Sequence, residues 1–142
     1  MTKVLISGSI SIKYKDLPSE VFESLDRIMS QGLEVIIGDA HGVDSAIQWH
    51  LKSKNYSKVT VYYSIEGNRV KPRNNWGFEA VGIVGSYSDR DKAMCEIADY
   101  GLAIWDGHSR GTAANIQRVP KMRIVKIEQE FSRKPKIKAK SH

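Results

Sequence analysis

The chain has 142 residues, of which 41% are hydrophobic and 27% are charged, and its formal net charge is +6. This length fits one domain with a sizeable core, and the hydrophobic content excludes a disordered chain. No apolar run approaches the roughly 20 residues that span a bilayer, which excludes a membrane-spanning helix. The single cysteine, Cys95, excludes an internal disulfide and predicts a cytoplasmic protein, because the cytosol is reducing.

The positive charge is concentrated at the C-terminal end. Five lysines and arginines and no acid follow Phe131, which leaves +1 for the rest of the chain. We therefore expect one domain over residues 1–130 and a basic flexible tail over residues 131–142. Such runs are usually solvated and less often bind nucleic acid. The nearly neutral body counts against a nucleic-acid partner.

Apolar runs and helical spacings alternate along the chain. The run Lys3–Ser7 predicts a buried strand rather than a signal peptide. Asp16 and Pro18 open a helix that ends at Gly32. The remaining predicted elements are a strand at Leu33–Ile37, a helix from Val43 to Leu51, a strand at Lys58–Ser64, an irregular stretch from Ile65 to Tyr87, a helix capped by Ser88 with Asp91, a strand at Leu102–Trp105, a helix at Ala113–Val119 and a strand at Arg123–Ile127.

This order of elements predicts an α/β fold, with a doubly wound, mainly parallel five-stranded sheet and helices on both faces. Ligands of such sheets bind outside the carboxyl ends of the strands, where the strand order reverses. Glycine-bearing loops follow three of the predicted strands, at Gly8–Ser9, Gly38–Asp44 and Asp106–Thr112. We expect these loops to meet at one edge of the sheet, which would cluster Gly8, Gly38, Gly42, Gly107 and Gly111.

The loop Asp106–Thr112 has the composition of a phosphate site. Glycines allow close approach of the backbone, hydroxyl groups donate hydrogen bonds and an arginine adds positive charge. These residues are Gly107, Ser109, Arg110, Gly111 and Thr112. The N-terminus of the following helix adds free backbone N–H groups and partial positive charge. The alternative is an ordinary strand-to-helix turn with Thr112 as its N-cap.

Three more residues are candidate ligand contacts. His41 lies between two glycines beside the predicted phosphate site, although an exposed histidine without a role is the alternative. Arg69 belongs to the irregular stretch, whose basic and amide groups beside Trp76 suit a base or a sugar-phosphate. A lid that packs on the core is the alternative for that stretch. Arg90 lies in the first turn of a helix, where a cation is unfavourable, and this conflict indicates a nearby anion.

Three segments together resemble the SLOG superfamily. They are GDAHGVDSA at Gly38–Ala46, SDRDKAM at Ser88–Met94 and DGHSRGTAANI at Asp106–Ile116. The first matches a Gly-x-Ala-x-Gly-x-Asp pattern and the last matches a Gly-Thr phosphate loop. The resemblance covers residues 1–127 and is closest to small stand-alone members, called YspA-like, of phage and bacterial genomes. It implies a Rossmann-like fold that binds nucleotides or nucleotide-derived ligands.

One position departs from the enzymes of this superfamily. The Lonely Guy phosphoribohydrolases carry Pro-Gly-Gly-x-Gly-Thr-x-x-Glu, whose glutamate is implicated in cleaving a glycosidic bond. Asn115 stands at that position here, and an amide cannot act as the carboxylate that this cleavage requires. Asn115 is therefore a candidate ligand contact. Asp44 and Asp106 are the candidate catalytic residues if a bond is cleaved, although capping a helix is the alternative role for Asp44.

The sequence favours a module that binds or senses a nucleotide or nucleotide-derived ligand. An N-glycosidase acting on nucleoside monophosphates is one alternative, and a nucleic-acid-binding protein like the DNA-processing A recombination mediators is another. The scattered histidines and the lack of a cysteine pair count against a zinc site, and the lack of a Gly-x-x-x-x-Gly-Lys-Ser/Thr motif counts against a P-loop nucleotidase. We expect no metal and no further cofactor. The apolar segment Trp76–Val84 predicts a homodimer, since superfamily members commonly pair beside the ligand site.

Overall fold

The computed structural model describes residues 1–128, which form one sheet flanked by helices. The strands are β1 (Lys3–Gly8), β2 (Glu34–Gly38), β3 (Val59–Ile65), β4 (Glu79–Val84), β5 (Tyr100–Trp105) and β6 (Met122–Lys126). The α-helices are α1 (Ser19–Ser30), α2 (Val43–Ser53), α3 (Tyr87–Ile97) and α4 (Arg110–Arg118). The predicted boundary at residue 130 and the basic tail, residues 131–142, lie outside the described residues.

The six strands are arranged in the order β4-β3-β2-β1-β5-β6, and every neighbouring pair is parallel. The chain moves outward from β1 through β2 and β3 to β4, and then returns to place β5 and β6 on the other side of β1. The strand order therefore reverses between β1 and β5. The predicted α/β class and parallel sheet are confirmed.

The predicted number of five strands is wrong, because β4 lies within the stretch that the sequence assigned to an irregular loop. This strand forms an edge of the sheet, and its residues are exposed or half-buried without a clear alternation. It also contains Gly82, which allows close packing: a Cβ there would lie 2.5 Å from the Ile65 side chain. A glycine-bearing edge strand has no apolar periodicity by which to recognise it.

The core is divided into two clusters by the sheet. Alternate residues of β1 belong to different clusters, with Val4 and Ile6 in one and Leu5 in the other. The first cluster includes the buried faces of α1 and α2, whereas the second includes Met94 and Cys95 of α3. Because successive side chains of a strand point to opposite faces, the two clusters lie on opposite faces of the sheet. The central strands β1 and β2 each contain a run of three apolar residues for the same reason.

The predicted cap of the third helix is wrong by two residues. Ser86, not Ser88, is the N-cap of α3, and its hydroxyl accepts a hydrogen bond from the amide of Asp89. The carboxylate of Asp89 in turn accepts from the Ser86 amide at 2.9 Å. Both serines have an aspartate three residues on, so the capping-box pattern alone does not choose between them. The shift leaves Asp91 free to pair with Arg90.

The connection from β3 to β4, residues 66–78, contains no helix but is fixed to the body of the protein. The buried Asp39 accepts a hydrogen bond from the amide of Arg73 at 2.7 Å, and its backbone oxygen accepts one from the Asn74 side chain at 2.9 Å. Gln48 of α2, also buried, accepts from the amide of Trp76 at 3.2 Å. This segment is therefore held over the carboxyl ends of the strands.

No helix among residues 1–128 combines the length and the apolar character that crossing a membrane requires.

Gly42 should be more sensitive to substitution than Gly67, although both have a positive φ. At Gly42 (φ +76°) a Cβ would lie 2.5 Å from the Ile10 backbone oxygen, whereas at Gly67 (φ +66°) no atom of residues 1–128 would lie within 4 Å of it. We expect Gly42→Ala to lower the free energy of unfolding by roughly 2 kcal/mol or more. The matched control Gly67→Ala should lower it by roughly 1 kcal/mol. Urea denaturation measures both, and equal losses would contradict the close approach at Gly42.

Candidate functional site

A cavity of about 510 Å³ opens at the carboxyl ends of β1 and β2, beside the N-termini of α2, α3 and α4. Its size lies within the range of small-ligand pockets. Residues from the first two glycine loops, the 66–78 connection, α3 and the start of α4 line it. They are Ile6, Ser7, Gly8, Ile10, Gly38, Ala40, His41, Asp44, Arg73, Tyr87, Arg90, Asp91, Met94, Ser109, Gly111, Thr112 and Asn115.

Most of the residues predicted from the sequence meet at this cavity. Those that line it are Gly8, Gly38, His41, Asp44, Arg90, Ser109, Gly111, Thr112 and Asn115. The predicted residues that do not line it are Ser9, Gly42, Arg69, Asp106, Gly107 and Arg110. Each of the three glycine loops contributes residues to the cavity, but six of the fifteen predicted residues do not line it.

The first turn of α4 is open toward the cavity. Ser109 is its N-cap, but no side chain caps this helix, and within residues 1–128 no acceptor binds the amides of Arg110, Gly111 and Thr112. Thr112 is 4% exposed and lines the cavity, and its hydroxyl has no hydrogen-bond partner in the same part of the chain. A helix N-terminus carries partial positive charge and free N–H donors. This turn can accept an anion.

Gly111 occupies this turn for its small size rather than for an unusual backbone angle. It lies in the helix, and a Cβ there would meet only an oxygen of Asp91 at 3.7 Å. A larger side chain at position 111 would enter the cavity beside Asp91.

Two serines and an aspartate fix the loop before α4 without facing the cavity. The carboxylate of Asp106 accepts hydrogen bonds from the amides of His108 and Ser109 at 2.8 and 2.9 Å, and from the Ser11 hydroxyl at 2.8 Å. The Ser9 hydroxyl bonds the Ser109 hydroxyl at 2.7 Å and accepts from the Asp106 amide at 3.0 Å. These contacts give Ser9 and Asp106 a structural role in shaping the loop.

The electrostatics of Asp106 agree with that role. Burial acts to raise its pKa, but hydrogen bonds from two backbone amides and the neighbouring serines outweigh burial and lower the pKa to about 2. Asp106 is therefore a stable carboxylate at neutral pH. A group with so low a pKa is a poor general acid or base.

Arg90 is buried and paired with carboxylates of the protein itself. Its Nη1 donates to Asp39 at 2.7 Å, and its Nη2 and Nε donate to Asp91 at 2.8 and 3.2 Å. Burial acts to lower the pKa of Arg90, but the nearby charges of Asp44, Asp91 and Asp39 outweigh it and raise the pKa. The sequence predicted an anion near Arg90, and the carboxylates of these aspartates are that anion.

Asp44 faces the cavity from the first turn of α2 and is 5% exposed. One of its oxygens accepts a hydrogen bond from the amide of Ala40 at 3.1 Å. Burial raises the pKa of Asp44 to about 7, against the opposing effects of the Arg90 charge and this hydrogen bond. The carboxyl group can therefore exist in both protonation states near neutral pH.

Gly38 permits the close packing of these charged groups. A Cβ at this position would lie 2.7 Å from an oxygen of Asp44 and 2.8 Å from the guanidinium carbon of Arg90. Any side chain here would push the two groups away from the end of β2. The absence of a side chain at Gly38 therefore leaves room for the charged groups of Asp44 and Arg90.

Asn115 lines the cavity and is held by hydrogen bonds to protein groups at both its amide nitrogen and its oxygen. Its amide nitrogen donates to the Ser7 hydroxyl at 3.0 Å. Its oxygen accepts from the Cys95 thiol at 3.3 Å and from the Arg118 guanidinium at 3.0 Å. Burial raises the pKa of Cys95 to about 11, so the thiol stays protonated and donates.

Sequence reasoning missed Arg73, Tyr87 and Asp91 as lining residues. Arg73 lines the cavity, whereas Arg69, the arginine predicted from the sequence, does not. The backbone amide of Arg69 donates to the backbone oxygen of Glu66. The guanidinium carbons of Arg73 and Arg90 lie 5.7 and 4.8 Å from the centroid of the Tyr87 ring. The pattern of basic and amide residues indicated that this segment contributes to the site. The path of the segment over the sheet decides which of its arginines lines the cavity.

Among residues 1–128, no group of three or more histidine, cysteine, aspartate or glutamate side chains is arranged to hold a metal ion.

No protein-family model, curated protein or solved structure matches this chain.

Replacing Asp44 with asparagine should change how stability depends on pH. The folded pKa of about 7 lies above the ordinary value of 3.8. Between these values the folded state binds more protons than the unfolded state, so the contribution of Asp44 to stability falls as pH rises. We expect the stability of Asp44→Asn relative to wild type to rise by up to about 4 kcal/mol from pH 4 to pH 8. Urea denaturation across this range tests it, and parallel curves would contradict the raised pKa.

Proposed function

We propose that this protein binds a nucleotide or a nucleotide-derived ligand, with a phosphate group on the first turn of α4. The observation that carries the proposal is the open helix N-terminus together with the hydroxyl of Thr112, which lines the cavity and has no hydrogen-bond partner within residues 1–128. Free N–H groups, a hydroxyl and a helix dipole that converge on one cavity suit a phosphate better than a neutral ligand.

The rest of the cavity suits the nucleoside part of such a ligand. Ile6, Ile10 and Met94 supply apolar surface, and Tyr87 supplies an aromatic ring that is 42% exposed. Arg73 adds a positive charge near this ring. The carboxyl groups of Asp44 and Asp91 lie in the same cavity and can accept hydrogen bonds from sugar hydroxyls or from base amino groups.

Two features of the sequence support this proposal. The three segments that resemble the SLOG superfamily, Gly38–Ala46, Ser88–Met94 and Asp106–Ile116, contribute seven of the ten polar residues that line the cavity. The cavity also lies where the strand order reverses, which is the ligand position in a doubly wound, Rossmann-like sheet. We propose membership of that superfamily and a doubly wound architecture on these grounds.

Thr112→Val tests the phosphate site, because valine keeps the shape of the buried side chain and removes its hydroxyl. Hydrogen bonds to charged groups contribute roughly 1.5–3 kcal/mol. We expect Thr112→Val and Arg73→Ala each to weaken the binding of a nucleotide by roughly 10- to 100-fold. Titration calorimetry with inorganic phosphate and a panel of mono-, di- and cyclic nucleotides measures the loss. A nucleoside without phosphate should be affected little by Thr112→Val.

Two exposed cations provide controls for this titration. Lys71 lies in the same segment as Arg73 but outside the cavity, and Lys71→Ala should leave binding unchanged. Arg110 lies at the N-terminus of α4 but does not line the cavity, so Arg110→Ala should cause a smaller loss than Arg73→Ala. Equal binding of the panel to wild type and Thr112→Val would show that the phosphate site is misassigned, and no binding of any nucleotide would refute the proposal.

An N-glycosidase acting on nucleoside monophosphates is the second candidate, and Asp44 is the observation that favours it. A carboxyl group with a pKa of about 7 in a ligand-sized cavity is suited to general acid or base catalysis at neutral pH. Chromatography of the titration samples separates the two functions. Release of free base by wild type but not by Asp44→Asn supports the enzyme, whereas an intact ligand supports a binding module.

We also propose that two copies of the chain pair along the exposed edge of β4. An edge strand presents unpaired N–H and C=O groups to another strand, and apolar edge strands are usually covered. Val84 of this strand is 80% exposed, and the nearby Trp76 is 46% exposed. Antiparallel pairing of two β4 strands would bury these side chains and satisfy the backbone groups.

Light scattering coupled to gel filtration tests the pairing. We expect a mass near twice 16.0 kDa for wild type and near 16.0 kDa for Val84→Lys, because the contact would bury a charged side chain in place of an apolar one. Ile124→Lys is the matched control on the opposite edge of the sheet and should remain a dimer. A monomer for wild type across a wide range of concentrations would refute the pairing.

A further inference from the structure

We propose that the ligand carries a second nucleobase, which stacks in an aromatic cleft next to the cavity, so that the ligand class is a dinucleotide. The cleft is lined by Lys13, Tyr14, His41, Gly42, Ser45, Ala46 and Trp49, and its volume is about 400 Å³. The proposal rests on the phosphate site of the proposed function and extends it to a second part of the ligand.

The cleft and the cavity lie side by side. His41 lines both of them, and Gly42, which follows it, lines the cleft. The side chain of His41 is exposed and is within 3.5 Å of the Asn74 amide nitrogen. A ligand can therefore pass from the cavity to the cleft over the loop that joins β2 to α2.

Two exposed aromatic rings determine which kind of ligand the cleft can bind. Tyr14 is 40% exposed and Trp49 is 42% exposed, and the two rings meet edge to face with centroids 5.1 Å apart. Within residues 1–128 the indole N–H of Trp49 has no hydrogen-bond acceptor. An exposed aromatic pair with a free donor is suited to a flat ring that carries acceptor atoms, as every nucleobase does.

Tyr14, one member of this aromatic pair, packs against two further rings. The Tyr14 ring contacts Phe22 with centroids 5.6 Å apart, and its hydroxyl lies 3.3 Å from Nδ1 of His50. His50 in turn packs against Phe22 with centroids 4.9 Å apart. A platform that is fixed before binding loses little conformational entropy when a base stacks on it.

The position of the cleft indicates a ligand longer than one nucleotide. Val43, at the start of α2, packs against Gly8 in the lining of the cavity, since a Cβ on Gly8 would lie 2.4 Å from the Val43 side chain. Trp49 lies nearly two turns further along α2, which is about 9 Å. The charge of Lys13 beside the aromatic pair suits the phosphate that joins the two nucleosides.

Titration calorimetry with two probes tests this inference. The probes are adenosine 5′-monophosphate and the 5′-phosphorylated dinucleotide of two adenosines, and the proteins are wild type, Trp49→Leu, Trp49→Phe and Trp76→Leu. We expect wild type to bind the dinucleotide about tenfold more tightly than the mononucleotide, and Trp49→Leu to lose this gain. Leucine keeps apolar packing against Tyr14 but removes the aromatic face, whereas Trp49→Phe keeps a face and should retain most of the gain.

The controls separate stacking in the cleft from other effects. Trp49→Leu should leave the affinity for the mononucleotide unchanged, which also shows that the variant is folded. Trp76→Leu removes an equally exposed tryptophan outside the cleft and should change neither affinity. A dinucleotide that binds wild type no better than the mononucleotide overturns the inference. So does an equal loss for both probes in Trp49→Leu.

The two titrations distinguish a wrongly assigned second base site from a wrongly assigned phosphate site. If the mononucleotide binds wild type and is weakened by Thr112→Val, but the dinucleotide has no advantage, only the second base site is refuted. If neither probe binds wild type, the phosphate site and the second base site are both refuted.

Discussion

The structure depends on one buried guanidinium, that of Arg90, at the carboxyl edge of the sheet. It forms an ion pair with Asp39 after β2 and with its neighbour Asp91, and its charge acts on Asp44 of α2. These groups come from the loop after β2 and from the helices α2 and α3, which contribute to different hydrophobic clusters. Removing one member of such a buried group would leave an uncompensated charge, which is more costly than the loss of a surface ion pair.

The same charge cluster determines the shape of the cavity. Asp39 uses its second carboxylate oxygen and its backbone oxygen to hold Arg73 and Asn74, so the connection between β3 and β4 is drawn over the strand ends. Arg90 also lies against the Tyr87 ring, which it shares with Arg73. The wall formed by these residues and the open first turn of α4 face the same space, and a ligand with an anionic and a polar part complements both.

The glycine loops could be identified from the sequence because their physical requirements are local. A short apolar run followed at once by glycine and a helical pattern describes β1, β2 and β5 with the turns after them. Parallel order then forces the ends of these strands to one edge, so the meeting of Gly8, Gly38 and Gly111 follows without knowledge of any contact. The strand β4 could not be recognised in this way, because an edge strand with Gly82 buries too little to show a period.

The sequence by itself determined the α/β class, the parallel sheet and the loops that line the cavity, since these depend on periodicity and on glycine positions along the chain. Only the tertiary structure decided which side chains face the cavity. Arg73 rather than Arg69 lines it, and Ser9 and Asp106 face each other instead, because hydrogen bonds between segments far apart in sequence orient them. The protonation of Asp44 was likewise decided by packing, since burial and the charge of Arg90 act only once the sheet has brought α2 and α3 together.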